Sequence, residues 1–162
     1  MRVEGWELRV ESSRVKCPPL SAIRYPLSTI HSGTRMSTPE SGPDRSALGQ
    51  RILVIDDEAV VGLSCRRALA PDGHEVTTYQ DPQMGLQAAL SGDFDVILLD
   101  LVMPQLDGLE ILRCVKAAGV ASEVVIITGH STVESAVQAM KQGATDYLSK
   151  PFSPDQLRMI LR

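Results

Sequence analysis

The chain has 162 residues, enough for one domain with a sizeable core and short for two. Apolar residues make up 43% and charged residues 22%, the balance of an ordinary globular protein, and no apolar run approaches the roughly 18 residues that span a bilayer. The net charge of −4 divides unevenly: residues 1–50 hold seven Lys/Arg against five Asp/Glu, and residues 51–162 hold nine against fifteen. An acidic C-terminal region disfavours direct DNA or RNA binding, which needs a basic surface, and favours holding a cation.

Residues 1–49 contain five prolines and eleven Ser/Thr, with turn clusters at Cys17-Pro18-Pro19 and Glu40-Ser41-Gly42-Pro43-Asp44. Such a stretch buries too little apolar surface to offset its ordering entropy, so it is expected to be a disordered extension. The short alternation Trp6–Val10 has no partner strand in view. Met36 stands just before the polar lead-in to the folded part and offers an alternative native start. With no signal-peptide stretch, the expected location is the cytoplasm. Cys17, Cys65 and Cys114 lack metal-ligand spacing and read as core or semi-buried thiols of a reducing compartment. His31, His74 and His130 are too scattered for a zinc site.

From Arg51 the pattern changes. Arg51–Ile55 is an apolar run ending in acids, as in a buried parallel strand. Glu58–Ala70 reads as a helix, with Val61, Cys65 and Leu69 spaced by four and Pro71-Asp72-Gly73 ending it. Glu75–Tyr79 is a second strand. Asp81 caps a helix over Pro82–Leu90, with proline in first position. Asp95–Asp100 is a third strand, and Asp107 caps a helix over Gly108–Ala118. Glu123–Thr128 is a fourth strand. Thr132–Gln142 is a helix with Val133, Ala136, Val137 and Met140 on one face. Thr145–Leu148 is a fifth strand, and Ser153–Arg162 a short fifth helix with apolar Leu157, Ile160 and Leu161. Alternating strands and helices predict an α/β domain over residues 50–162, a doubly wound five-stranded parallel sheet with helices on both faces.

In such sheets ligands bind beyond the carboxyl ends of the strands. Those ends carry Asp56-Asp57-Glu58, Asp100, Thr128-Gly129 and Ser149-Lys150-Pro151. Clustered carboxylates raise one another's pKa unless a cation joins them, and hard oxygen ligands suit Mg2+. A lysine and a hydroxyl beside a metal are the partners of a phosphoryl group, and an aspartate can form an acyl phosphate. Taken singly, each residue has an ordinary reading: Asp57 as a helix cap, Asp100 as a loop acid, Lys150 as a solvated turn, Thr128 as a strand end. Together these require a separate coincidence at four strand ends.

The stretches ILVIDDE, VILLDLVMPQLDGLEIL and VVIITGHSTVESAVQAMKQGATDYLSKPF resemble the receiver domain of bacterial two-component response regulators. The third resembles most the receivers of nitrogen-regulation activators of sigma-54 polymerase. The resemblance covers residues 51–162 and implies a flavodoxin-like strand order, 2-1-3-4-5. It implies Asp100 as phosphoacceptor, Asp57 as direct acidic ligand of Mg2+, Asp56 as a ligand mainly through water, and the Val102 carbonyl completing the metal shell. It implies that Lys150 pairs with a phosphoryl oxygen, that Thr128 is the switch hydroxyl and that Tyr147 is the switch aromatic. Pro151 would follow a cis peptide that orients Lys150, and Gly129 would keep the space beside the phosphoryl site small. The implied partners are a sensor histidine kinase and a downstream effector protein or domain that reads the surface of helix 4, strand 5 and helix 5. Direct nucleic-acid binding and membrane attachment are not expected, and the only chemistry expected is self-catalysed phosphoryl acceptance and autodephosphorylation.

The likeness has departures. The fifth helix stops at Arg162, and the ATPase and DNA-binding modules of those activators are absent, as is a GxxxxGK[ST] loop. The chain therefore reads as a stand-alone receiver or a truncated activator. The alternatives fare less well. An aspartate-nucleophile phosphatase would carry D-x-D after the first strand, where Glu58 stands instead of the second aspartate. A Rossmann module would carry glycines where Asp56-Asp57-Glu58-Ala59 stands. An interaction-only receiver would not need the full set of site residues.

Overall fold

In the computed structural model, which describes residues 10–11, 14–15, 49–129 and 132–161, five strands and five helices alternate from Arg51 onward. The strands are β1 (Arg51–Ile55), β2 (Glu75–Tyr79), β3 (Val96–Leu99), β4 (Glu123–Thr128) and β5 (Asp146–Ser149). The helices are α1 (Ala59–Leu69), α2 (Pro82–Ser91), α3 (Gly108–Ala117), α4 (Val133–Lys141) and α5 (Pro154–Ile160). The sheet order is β2-β1-β3-β4-β5, and every neighbouring pair is parallel. This is the doubly wound, flavodoxin-like arrangement expected.

Alternating strand residues feed two cores, because successive side chains of a strand point to opposite faces. Leu53, Ile55, Ile97, Leu99, Val124 and Ile126 pack with Leu86, Ile111, Leu112 and Ala139, from α2, α3 and α4. Ile52, Val54, Val96, Leu98, Val125 and Ile127 pack on the other face with Val61, Cys65 and Leu69 of α1 and Leu157 and Leu161 at α5. Burying both faces is what makes β1, β3 and β4 near-continuous apolar runs.

The helix ends follow local chemistry. Asp81 and Asp107 cap α2 and α3, their carboxylates accepting from Gln83 and Met84 N–H and from Leu109 N–H respectively. Thr132 and Ser153 open α4 and α5 with capping boxes. A 3-10 turn over Ala70–Asp72 follows α1, and Gly73, at φ 78°, closes it. Arg158 of α5 reaches back to this corner, donating to Asp72 Oδ2 and to the Ala68 carbonyl, each at 2.7 Å.

Of the segment expected to be disordered only two two-residue strands are described, paired antiparallel, Val10 with Val15 and Glu11 with Arg14; the rest, Trp6 included, falls outside the described residues. Two other expectations need correction. Cys65 is a free buried thiol as expected, but Cys114, on α3, is disulfide-bonded. On α4, Val133, Val137 and Met140 are exposed and only Ala139 is buried, so most of the apolar face read from the sequence turns away from the core.

Candidate functional site

Three backbone hydrogen bonds carry the ladders just past the strand ends. Asp56 N–H donates to the Tyr79 carbonyl at 3.1 Å, Asp100 N–H to Ile55 at 3.0 Å and Lys150 N–H to Thr128 at 2.9 Å. Parallel strands lie about 4.8 Å apart, so these bonds set Asp56, Asp100, Thr128 and Lys150 in neighbouring rows at one edge of the sheet.

There the carboxylates converge. One oxygen from each of Asp56, Asp57 and Asp100 lies within 4.8 Å of the others. Asp56 is 3% exposed and Asp100 4%, while Asp57 is exposed. Asp57 does not cap α1, because Glu58 holds the N-cap position and its side chain makes no capping bond. Asp100 Oδ1 accepts from Val102 N–H at 3.1 Å, and Asp56 Oδ1 accepts from Glu58 N–H at 2.9 Å.

Lys150 enters from the turn after β5, whose Lys150–Pro151 peptide is cis, as the resemblance implied. Its ammonium lies 2.7 Å from Asp56 Oδ2, 2.7 Å from Asp100 Oδ2 and 2.9 Å from Glu58 Oε1. Burial pulls the Lys150 pKa down, but the close carboxylates of Asp100, Asp56 and Glu58 outweigh burial and the net move is upward, so Lys150 stays a cation. Burial likewise pushes the Asp56 carboxyl above its ordinary value of 3.8, against the opposing pull of Lys150 and the Glu58 N–H.

Asp56 Oδ2 is buried without a well-aligned hydrogen bond even though the ammonium is close by. An under-satisfied buried carboxylate oxygen, in a cluster of three aspartates, is the donor set a hard divalent cation takes. The residues therefore fit Mg2+, with Asp56, Asp57 and Asp100 as the side chains to hold it.

Thr128 is fully buried at the end of β4 and pairs in register with Ser149. Tyr147 is half-buried on β5, and its hydroxyl lies 3.4 Å from Ser135 Oγ in the first turn of α4. Gly129 and Lys150 help line an open cleft of about 350 Å³, and a Cβ at Gly129 would meet no atom within 4 Å. Among the described residues, then, no packing contact requires glycine at this position.

Two features escaped the sequence reading. Gly108, read only as the first residue of a helix, sits so close to the backbone just past β3 that a Cβ would lie 2.0 Å from the Asp100 carbonyl oxygen. Glu58, read as a helix start in an acidic run with no partner assigned to it, reaches Lys150 across 92 positions of sequence.

A family model described as the response regulator receiver domain matches residues 52–162. The chain belongs to that family. Among relatives, the receiver is 36% identical over 124 residues to the transcriptional regulatory protein TcrA of Mycobacterium tuberculosis, covering 75% of this chain and 49% of that protein. It is 38% identical over 112 residues to the response regulator MprA of Mycolicibacterium vanbaalenii, covering 69% of this chain and 48% of that one. The chain thus spans about half the length of these relatives. Among solved structures, a receiver domain protein from Clostridium thermocellum superposes with a TM-score of 0.64 at 37% identity, covering 69% of this chain and 90% of that one. NtrX from Brucella abortus gives 0.65 at 34% identity, covering 70% of this chain and 26% of that one. Similarities of this size to differently named regulators establish the receiver and do not single out the nitrogen-regulation type. Among the described residues no helix is long and apolar enough to cross a membrane.

Proposed function

We propose that this receiver is a phosphorylation-dependent switch of a two-component relay, taking a phosphoryl group onto Asp100 from a sensor histidine kinase with the help of Mg2+. The observation that supports it best is the placement of buried Asp100 against the Lys150 ammonium at 2.7 Å, inside the cluster with Asp56 and Asp57. The Asp100 carboxylate forms the new oxygen–phosphorus bond while the bond to the donor breaks and the donor's leaving group keeps its electron pair. Bound Mg2+ would neutralise charge on the transferring phosphoryl oxygens; Asp57 and the Val102 carbonyl would be direct ligands and Asp56 a ligand mainly through water. Lys150, held cationic, contributes fixed positive charge without reorganisation. Val102 N–H and Lys150 together orient the Asp100 carboxylate.

Thr128 then answers the modified Asp100, and Tyr147 carries the change to α4. A partner protein or effector domain reads that surface, where Val133, Val137 and Met140 of α4 stand exposed. The reaction is self-catalysed acceptance and autodephosphorylation, with no other turnover and no direct nucleic-acid contact by this chain. The test is intact-mass spectrometry after incubation with acetyl phosphate. One adduct is expected, only with a divalent cation, and none in Asp100→Asn; an adduct that persists in that variant refutes the assignment.

A further inference from the structure

Lys150 is shared by three carboxylates, and they are not equivalent. Asp56 and Asp100, at 2.7 Å, also belong to the aspartate cluster, so an ammonium and a divalent cation compete for the same groups. Glu58, at 2.9 Å, is outside that cluster. Its side chain is 56% exposed, at the rim of the cleft that Val60, Val61, Ser64, Pro151 and Phe152 also line. The Lys150 side chain is only 11% exposed, and a charge so buried is costly once its partners are withdrawn.

We infer that Glu58 is a positioning residue for Lys150: it is the carboxylate that keeps the ammonium when a divalent cation claims Asp56, Asp57 and Asp100. Without Glu58, cation binding must strip Lys150 of its close partners with no substitute, so the ammonium and the cation become direct rivals. With Glu58, the ammonium remains held at the site while the aspartates turn to the metal. This inference rests on reading the aspartate cluster as a Mg2+ site. It adds that the residue following the two aspartates tunes how readily the cation enters.

The alternative is that Glu58 acts only as one more negative charge near the cluster. The two differ in sign across a double-mutant cycle. A bare field is strongest when Lys150 is not there to neutralise it, so Glu58→Gln would then weaken Mg2+ binding more in a Lys150→Met background than in the wild type. Positioning through Lys150 gives the reverse. The expected results, by titration calorimetry with MgCl2 alone, are a two- to five-fold loss of Mg2+ affinity in Glu58→Gln, of the order of a partly exposed ion pair, and a smaller loss from the same change beside Lys150→Met. A second readout needs no Lys150 variant. The Lys150 ammonium nitrogen resonance should persist on adding Mg2+ to the wild type and be lost to solvent exchange in Glu58→Gln. An equal or larger effect in the Lys150→Met background, or an ammonium resonance indifferent to Glu58→Gln, overturns the inference and leaves the cation site standing. A wild type that binds no Mg2+ overturns both.

Discussion

Replacing Gly108 by alanine is expected to disable the site without touching any of its reactive groups. A Cβ there would lie 2.0 Å from the Asp100 carbonyl oxygen and 2.7 Å from Leu101 Cα. Opening that contact to the 3.4 Å at which ordinary contact begins takes about 1.4 Å of movement, by α3 or by the backbone of Asp100. Gly108 N–H also donates to the Leu101 carbonyl at 3.0 Å, which ties the helix start to the moving segment. Overpacking of this kind costs about 1–3 kcal/mol of stability. Moving Asp100 by even ~1 Å breaks a 2.7 Å contact with Lys150 and should slow phosphoryl transfer by about 100-fold. Both quantities are accessible: stability by urea unfolding, and transfer by the time course of the acetyl phosphate adduct in intact-mass spectra. A Gly108→Ala protein of wild-type stability refutes the steric argument. One that is destabilised yet phosphorylated at the wild-type rate shows that α3 takes up the movement and that Asp100 is not positioned by this contact.

Two further outcomes concern metal and switch. The Asp56 carboxyl is held above 3.8 by burial, so the folded state binds that proton more tightly than the unfolded one; its stabilising contribution is present below pH 3.8 and is lost as pH rises through the raised value. Mg2+ takes the carboxylate and offsets the loss by mass action, so its effect on Tm should be absent in strong acid and grow as pH rises through that window; a Mg2+ shift independent of pH, or one that survives in Asp57→Asn, contradicts the site. Thr128→Ala should still accept a phosphoryl group while losing the long-range response. Amide NMR spectra with beryllofluoride should shift from residue 128 through α4 to Tyr147 in the wild type and only around Asp100 in the variant, and identical long-range shifts in both would remove Thr128 from the relay.

Much of this was legible because the chemistry follows strand ends, and most strand ends follow apolar runs. β2 and β4 have the limits read from the sequence, and Asp56, Asp100 and Thr128 stand where runs of Ile, Leu and Val stop, while Lys150 follows the mixed strand Asp146–Ser149. The caps Asp81 and Asp107 were legible for a local reason, since a carboxylate two residues from a free N–H acts without tertiary help. The α4 stripe misled because a period near 3.6 reports that a helix has an apolar face and says nothing of what covers it. Val133, at 77% exposed, satisfies the period as well as a core residue would. The Glu58–Lys150 pair and the Gly108 approach were hidden for a different reason: both depend on which loops meet over the sheet, and no periodicity encodes that.

Cys65 offers an experimental handle that the site residues do not. It lies on α1, fully buried in the same core as Leu157 and Leu161, and burial pushes its thiol up to about 12. A thiol so placed reacts with an alkylating probe only while α1 or α5 has lifted away, since the thiolate is the reactive form and it needs water. Among the described residues it is the one free cysteine, so mass spectrometry can assign the labelled peptide without engineering. Its labelling half-life is therefore a built-in clock for local opening beneath α1, to be read with and without a phosphoryl group on Asp100.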